Sequence, residues 1–142
     1  MRRSGFTLLE IMAVITIIGM ISTLVIVNVM ERLEGARVQT TQAKLAGIES
    51  ALDMFRFEQR RYPSSDQGLR ALVERPDGAR TYPRAGYVRK RSALEDGWSR
   101  PFGYESPGQR ARVGYDLWSL GADGRPGGDD VDADIVNWSE PG

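Results

Sequence analysis

No cysteine and no histidine occur in this chain of 142 residues. The first absence excludes disulfides and thiolate chemistry, and the second removes the commonest general base and the commonest zinc ligand. Hydroxyl side chains remain, but a serine nucleophile needs an activating base, and neither a Ser-x-x-Lys nor a Gly-x-Ser-x-Gly arrangement is present to supply one. The composition therefore points away from an enzyme. An excess of either charge sign is also lacking, because 19 basic residues meet 19 acidic ones. No basic field exists to draw nucleic acid, and the arginine-rich stretch 84–91 is too short to make one. It fits a solvated loop or a surface that meets another subunit.

What the chain does have is one long apolar run. From Ile11 to Met30 there is no charge. As a helix rising about 1.5 Å per residue, that length covers the roughly 30 Å hydrocarbon layer of a bilayer. It exceeds the apolar core of a secretory signal peptide, and no small-residue cleavage site follows it. Arg2 and Arg3 precede the run, which leaves the N-terminus in the cytoplasm and sends the remainder outward. Glu10 stands at the mouth of the run, and an ionisable group at such a place calls for a partner.

Beyond the run, Val38, Leu45, Ile48, Leu52 and Phe55 continue at helical spacing with polar residues between. One helix is predicted through to about Arg60, stopped by Tyr62-Pro63. Ser64, Ser65 and Asp66 offer cap oxygens for a short helix carrying Leu69, Leu72 and Val73. Residues 75–101 then read as a long loop with at most one extended piece near Gly86-Tyr87-Val88. Strands are predicted over 101–105 and 113–119, around a Pro107-Gly108 turn, with a last apolar element at 135–138. Trp98, Trp118 and Trp138 are expected at the core or its rim. Helix first and strands later gives an α+β fold, a small antiparallel sheet set against the second half of the helix.

Between the last two strands, residues 121–135 gather Asp123, Asp129, Asp130, Asp132 and Asp134 among glycines, with Arg125 as the lone cation. Carboxylates on a flexible loop suit Ca²⁺, which takes six to eight oxygens in irregular geometry, and glycine lets carbonyls turn inward. Asp130, Asp132 and Asp134 open like an EF-hand loop, but Ile135 stands where its glycine belongs and Pro141 where its glutamate belongs. On chemistry alone, a calcium loop and a solvated acidic turn remain side by side.

Gly5-Phe6-Thr7-Leu8-Leu9-Glu10, placed directly before a long apolar helix, resembles the signature of type IV pilins and pseudopilins. The remainder is similar to the major pseudopilins of bacterial type II secretion systems, through residues 51–72, 115–128 and 133–138. The resemblance implies a type IV pilin-like fold with a cleaved leader at 1–5, a transmembrane and polymerisation helix at 6–30 and a periplasmic head at 31–142. It implies cutting after Gly5 by a prepilin peptidase and N-methylation of Phe6. Mature copies would sit in the inner membrane and be drawn by an assembly platform, together with minor pseudopilins, into a helical homopolymer that drives folded proteins across the outer membrane. Glu10 would pair with the Phe6 amine of an adjacent copy. Calcium would sit in the C-terminal loop, on Asp123 and Asp134 with Asp132 and the Leu120 carbonyl next. The alternatives are a type IV pilin, whose usual C-terminal disulfide this chain cannot make, and a membrane-anchored calcium-binding periplasmic protein. Two departures stand out. Val27-Asn28 replaces a usual Pro-Asn in the membrane helix, and Asp96-Gly97-Trp98-Ser99-Arg100-Pro101-Phe102 matches a family Asp-Pro-Trp-Gly-Asn-Pro-Tyr turn only loosely.

Overall fold

A computed structural model describes residues 6–138, apart from the side chains of residues 23–28. Gly5, the leader residues before it and the side chains of Val27 and Asn28 thus lie outside the described residues. The dominant element is α1, Leu8–Gln59. Its end is written locally. The Arg60 N–H reaches the Arg56 carbonyl at 2.8 Å, and Arg60 takes the left-handed conformation (φ 64°) that often closes a helix, just ahead of Pro63.

The chain divides into two units, one ending at Gly35 and the other comprising Ala36–Gly142. In the first, the described apolar side chains from Phe6 to Met30 are solvent-facing, among them Leu8, Leu9, Ile15 and Ile18. Among the described residues no helix is long and apolar enough to cross a membrane. Residues 23–28, in the middle of the uncharged run, do not enter that statement with their side chains.

In the second unit α1 lays one stripe onto a small core. Leu45, Ile48, Leu52 and Phe55 are buried, and Val38 is half-buried. The four buried residues pack with Leu69, Leu72, Leu94, Phe102, Tyr115 and Leu117. Each fully buried aliphatic or aromatic side chain of this kind contributes about 1.5–3 kcal/mol, so the stripe holds the helix where its weak one-sidedness alone would not.

The sheet is three-stranded and antiparallel in the order β1-β2-β3, with β1 Gly103–Glu105, β2 Asp116–Ser119 and β3 Ile135–Val136. Gly103 faces Trp118 across the first pair, and Ser119 faces Ile135 across the second. The strands are shorter than their sequence patterns predict. Pro101 makes only an isolated bridge with Glu95, and residues 113–115 stay outside β2, because the register would set them opposite residues 106–108, where Pro107 has no N–H to donate. No strand forms at 86–88. There the Tyr87 and Val88 N–H groups both donate to the Leu72 carbonyl, at 2.8 and 3.0 Å.

The short helix after the stop is a single 3-10 turn, Leu69–Leu72, entered from Gly68 without a side-chain cap. Ser64 caps the preceding turn instead, exchanging hydrogen bonds with Gln67 in both directions. The three tryptophans are half-buried, which places them on the rim.

Candidate functional site

Two regions carry the chemistry singled out in the sequence, and each is built by local rules. At the N-terminal end, Thr7 caps α1. Its hydroxyl oxygen accepts the Glu10 N–H at 3.2 Å, and its carbonyl accepts the N–H groups of Glu10 and Ile11. Thr7 and Glu10 thus stand at the N-cap and third helical positions, the spacing of a capping box, although only the threonine half of the box is made. A carboxylate in the first turn also lies in the favourable end of the helix dipole. The cap leaves the Glu10 side chain exposed, with Phe6, Leu8 and Leu9 between 78% and 79% exposed around it. The sequence reading chose Glu10 and overlooked Thr7, although T-x-x-E was there to be seen.

The second region is the connection from Leu120 to Asp134, whose ends are pinned by the pairing of Ser119 with Ile135. Inside it, Ala122 N–H donates to the Val131 carbonyl at 2.9 Å and Gly124 N–H to the Leu120 carbonyl at 3.1 Å. Gly121 and Gly128 both have positive φ, and a Cβ on either would press into the Asp132 carbonyl. These two glycines let the loop fold tightly upon Asp132.

The acidic residues of this loop behave differently from one another. Asp123 accepts the Arg125 N–H at 2.9 Å in a local turn. Asp132 donates its N–H to the Asp129 carbonyl at 3.0 Å. Asp134 accepts the Gly127 N–H on Oδ2 at 3.0 Å, while its Oδ1 is buried without a hydrogen-bond partner. Leu120 and Asp134 share a pocket of about 290 Å³ with Trp118, Pro126 and Trp138, to which Asp123 and Asp132 do not contribute. No three acidic side chains among the described residues converge on one point that could hold a metal. A cation here would depend on carbonyls as much as on carboxylates. The orphaned Asp134 oxygen fits such a use, since a buried carboxylate oxygen without a donor is costly.

A polar brace backs the loop. Asp96, 3% exposed, accepts the Trp98 and Arg100 N–H groups on Oδ1, both at 2.9 Å, and the Ser119 hydroxyl on Oδ2 at 2.7 Å. The adjacent Gly97 N–H donates to the Thr41 hydroxyl of α1 at 2.8 Å, and the Lys44 ammonium donates to the Glu95 carbonyl at 2.9 Å. Arg100 reaches onward to the Gly121 carbonyl. At the far end of β2, Asp116 is also 3% exposed. Burial opposes its ionisation, but N–H groups from Ala111, Gln109 and Arg110 outweigh that penalty and hold the carboxyl below the usual range. The bonds from Ser119 to Asp96, from Arg100 to Gly121 and from Gly97 to Thr41 were not legible in the sequence, because they join segments 21 to 56 residues apart.

The chain matches the family Type II secretion system (T2SS), protein G over residues 28–138, and the prokaryotic N-terminal methylation motif over residues 1–26. This chain belongs to the protein G family of type II secretion, the major pseudopilins. It is 43% identical over 140 residues to the type II secretion system core protein G of Pseudomonas aeruginosa, covering 96% of each chain. The core protein G of Klebsiella pneumoniae is 44% identical over 141 residues, covering 97% of this chain and 96% of that one. Among solved structures, the major pseudopilin of the type 2 secretion system of enterohaemorrhagic Escherichia coli superposes with a TM-score of 0.61 at 37% identity, over 78% of this chain and 94% of that one. A pseudopilin is a structural subunit, not an enzyme, which accords with the missing catalytic side chains. The pilin-like fold, a long helix packed on a small three-stranded sheet, is the architecture expected from the sequence.

Proposed function

We propose that this pseudopilin works by polymerising through its N-terminal helix, as follows. The precursor inserts into the inner membrane with its N-terminus in the cytoplasm and its head in the periplasm. Prepilin peptidase cuts after Gly5 and the new Phe6 amine is methylated. The assembly platform then draws copies, with minor pseudopilins, into a periplasmic homopolymer, the pseudopilus, that drives folded proteins outward. The observation that carries this reading is the methylation motif over residues 1–26 leading directly into a helix whose first turn presents an exposed Glu10 among exposed apolar side chains.

Glu10 supplies the register. An unpaired carboxylate is costly in lipid, and the Phe6 amine of an adjacent copy removes that cost only when the two helices are correctly offset. In this proposal Ca²⁺ would sit on Asp134 and the Leu120 carbonyl, with Asp123 and Asp132 drawn in from outside the pocket that those two share, and the ion when bound would supply a hard positive centre that locks the loop. The fit rests on the unpartnered Asp134 Oδ1 and the inward-folded backbone at Gly121 and Gly128.

The test is deletion in the host, scored for secretion of folded exoproteins and for surface pili. Lost secretion with intact pili supports the pseudopilus; lost pili with intact secretion sinks it in favour of a type IV pilin. Restoring the deletion with Glu10→Ala should yield a processed, membrane-inserted protein that forms no fibres. Normal fibres from that variant would refute the pairing.

A further inference from the structure

Arg100 occupies an unusual place for an arginine in this fold. Its backbone is tied to Asp96 in both directions, since the Arg100 N–H donates to Asp96 Oδ1 at 2.9 Å and the Asp96 N–H donates to the Arg100 carbonyl at 2.7 Å. Its side chain is about one-third exposed, with Nε 3.6 Å from Asp96 Oδ2 and without a hydrogen bond of its own, and with the guanidinium carbon 5.6 Å from the centre of the Trp98 ring. The free end of the fork turns away from these partners into the acidic loop. There Nη2 donates to the Gly121 carbonyl, and Nη1 lies where a Cβ on residue 124 would have to be. Gly124 suits this place through its positive φ of 68°, and without a Cβ it leaves room for the guanidinium beside it.

The residue at position 100 has to span from Asp96 to the Gly121 carbonyl. An asparagine is too short to bridge from Asp96 to Gly121 and brings no charge. We propose that Arg100 is a built-in cation that positions the turn Leu120–Gly124 from its inner side, so that the Leu120 carbonyl and Asp123 are set in place without a divalent ion and the loop is braced to α1 through Asp96, Gly97 and Thr41. A planar fork with several donors suits this role, because it can hold a carboxylate and a carbonyl at once. The consequence is a division of labour. Arg100 secures the first turn of the loop, and calcium, on the reading given above, secures its remainder. The inference rests on that reading only for the second half of this statement.

Hydrogen exchange of the full chain in detergent micelles separates the possibilities, measured in calcium and in chelator for the natural protein, Arg100→Asn and Arg100→Lys. The reporters are the Ala122 and Gly124 amides, and the internal controls are the Gln109, Arg110 and Ala111 amides held by Asp116. With chelator, Arg100→Asn should exchange at least about tenfold faster at the reporters, the loss of one charge-assisted hydrogen bond, with the controls within about twofold. Arg100→Lys, which keeps the charge but not the fork, should recover part of that protection. Unchanged reporters in Arg100→Asn overturn the proposal, and so does equal acceleration of reporters and controls, which would mark a general loss of stability. Calcium that slows the reporters of Arg100→Asn supports both readings. Calcium that changes nothing in any protein, while Arg100→Asn still exchanges faster, leaves Arg100 as the brace and removes the calcium site.

Discussion

Asp116→Ala is the perturbation that the head should tolerate least for its size. The carboxylate is buried and accepts the Ala111 N–H at 2.7 Å, the Arg110 N–H at 3.1 and 3.0 Å on its two oxygens, and the Gln109 N–H at 2.9 Å. Removing it strands these donors unequally. Gln109 and Arg110 are exposed, so water can replace the acceptor at about 0.5 kcal/mol each, whereas Ala111 is buried and its N–H loses a charge-assisted bond worth ~2 kcal/mol. The sum is about 3 kcal/mol, which for a domain of roughly 100 residues lowers Tm by about 15 °C. A near-ultraviolet circular dichroism melt of the detergent-solubilised chain at neutral pH reads it directly. A fall of less than about 4 °C, under 1 kcal/mol by the same scaling, would show that water reaches this site and that the reasoning fails. The pH dependence supplies a second check. Because the folded carboxyl ionises more readily than the unfolded one, its contribution is complete above the unfolded value of about 3.9 and disappears as pH falls through the depressed folded value. The Tm gap between the natural protein and Asp116→Ala should therefore narrow in acid and stay constant from about pH 5 upward.

The same residue shows how far sequence patterns carry. The helix was legible nearly to its last residue, because the spacing from Val38 to Phe55 has one solution and Pro63 forces an end; the observed helix stops at Gln59. Strand centres were legible too, since Leu117 and Ile135 lie in apolar runs. Their ends were not, for an alternating pattern cannot show that residues 109–111 will turn back onto the Asp116 carboxylate and close the connection where the ladder stops. The N-terminal methylation motif was legible in the sequence, while the Thr7 cap within it went unread. In the acidic loop the chemistry of the residues located the carboxylates, while their ranking, Asp123 and Asp134 ahead of Asp132, came only from the resemblance. That Asp134 has a buried free oxygen whereas Asp123 is occupied by Arg125 depends on where the backbone turns. Arg100 looked like one more loop arginine because its partners, Asp96 apart, lie about twenty residues away at Gly121 and Gly124.

Phe55→Ala should cost about 3–5 kcal/mol in a urea melt, since Phe55 is 1% exposed and packs 5.4 Å from the Tyr87 ring; a cost below about 1 kcal/mol would mean that the stripe is not what holds the head to α1. Chelation should lower the Tm of the natural chain, and Asp123→Ala should abolish the difference; identical melts with and without chelator refute the calcium loop. Gly103→Ala tests a close approach that no periodicity reveals. Gly103 lies opposite Trp118 in the β1–β2 register, and a Cβ there would come within 2.1–2.5 Å of three atoms of the indole ring. Its φ is not in the left-handed region, so the alanine pays nothing in backbone strain and the whole cost is steric, about 1–3 kcal/mol. If that is the mechanism, the cost must vanish once the ring is gone. Gly103→Ala in a Trp118→Ala background should be neutral to within about 0.5 kcal/mol, a coupling visible only because the two residues touch. An undiminished cost in that background would place the need for glycine in the backbone and not in the tryptophan.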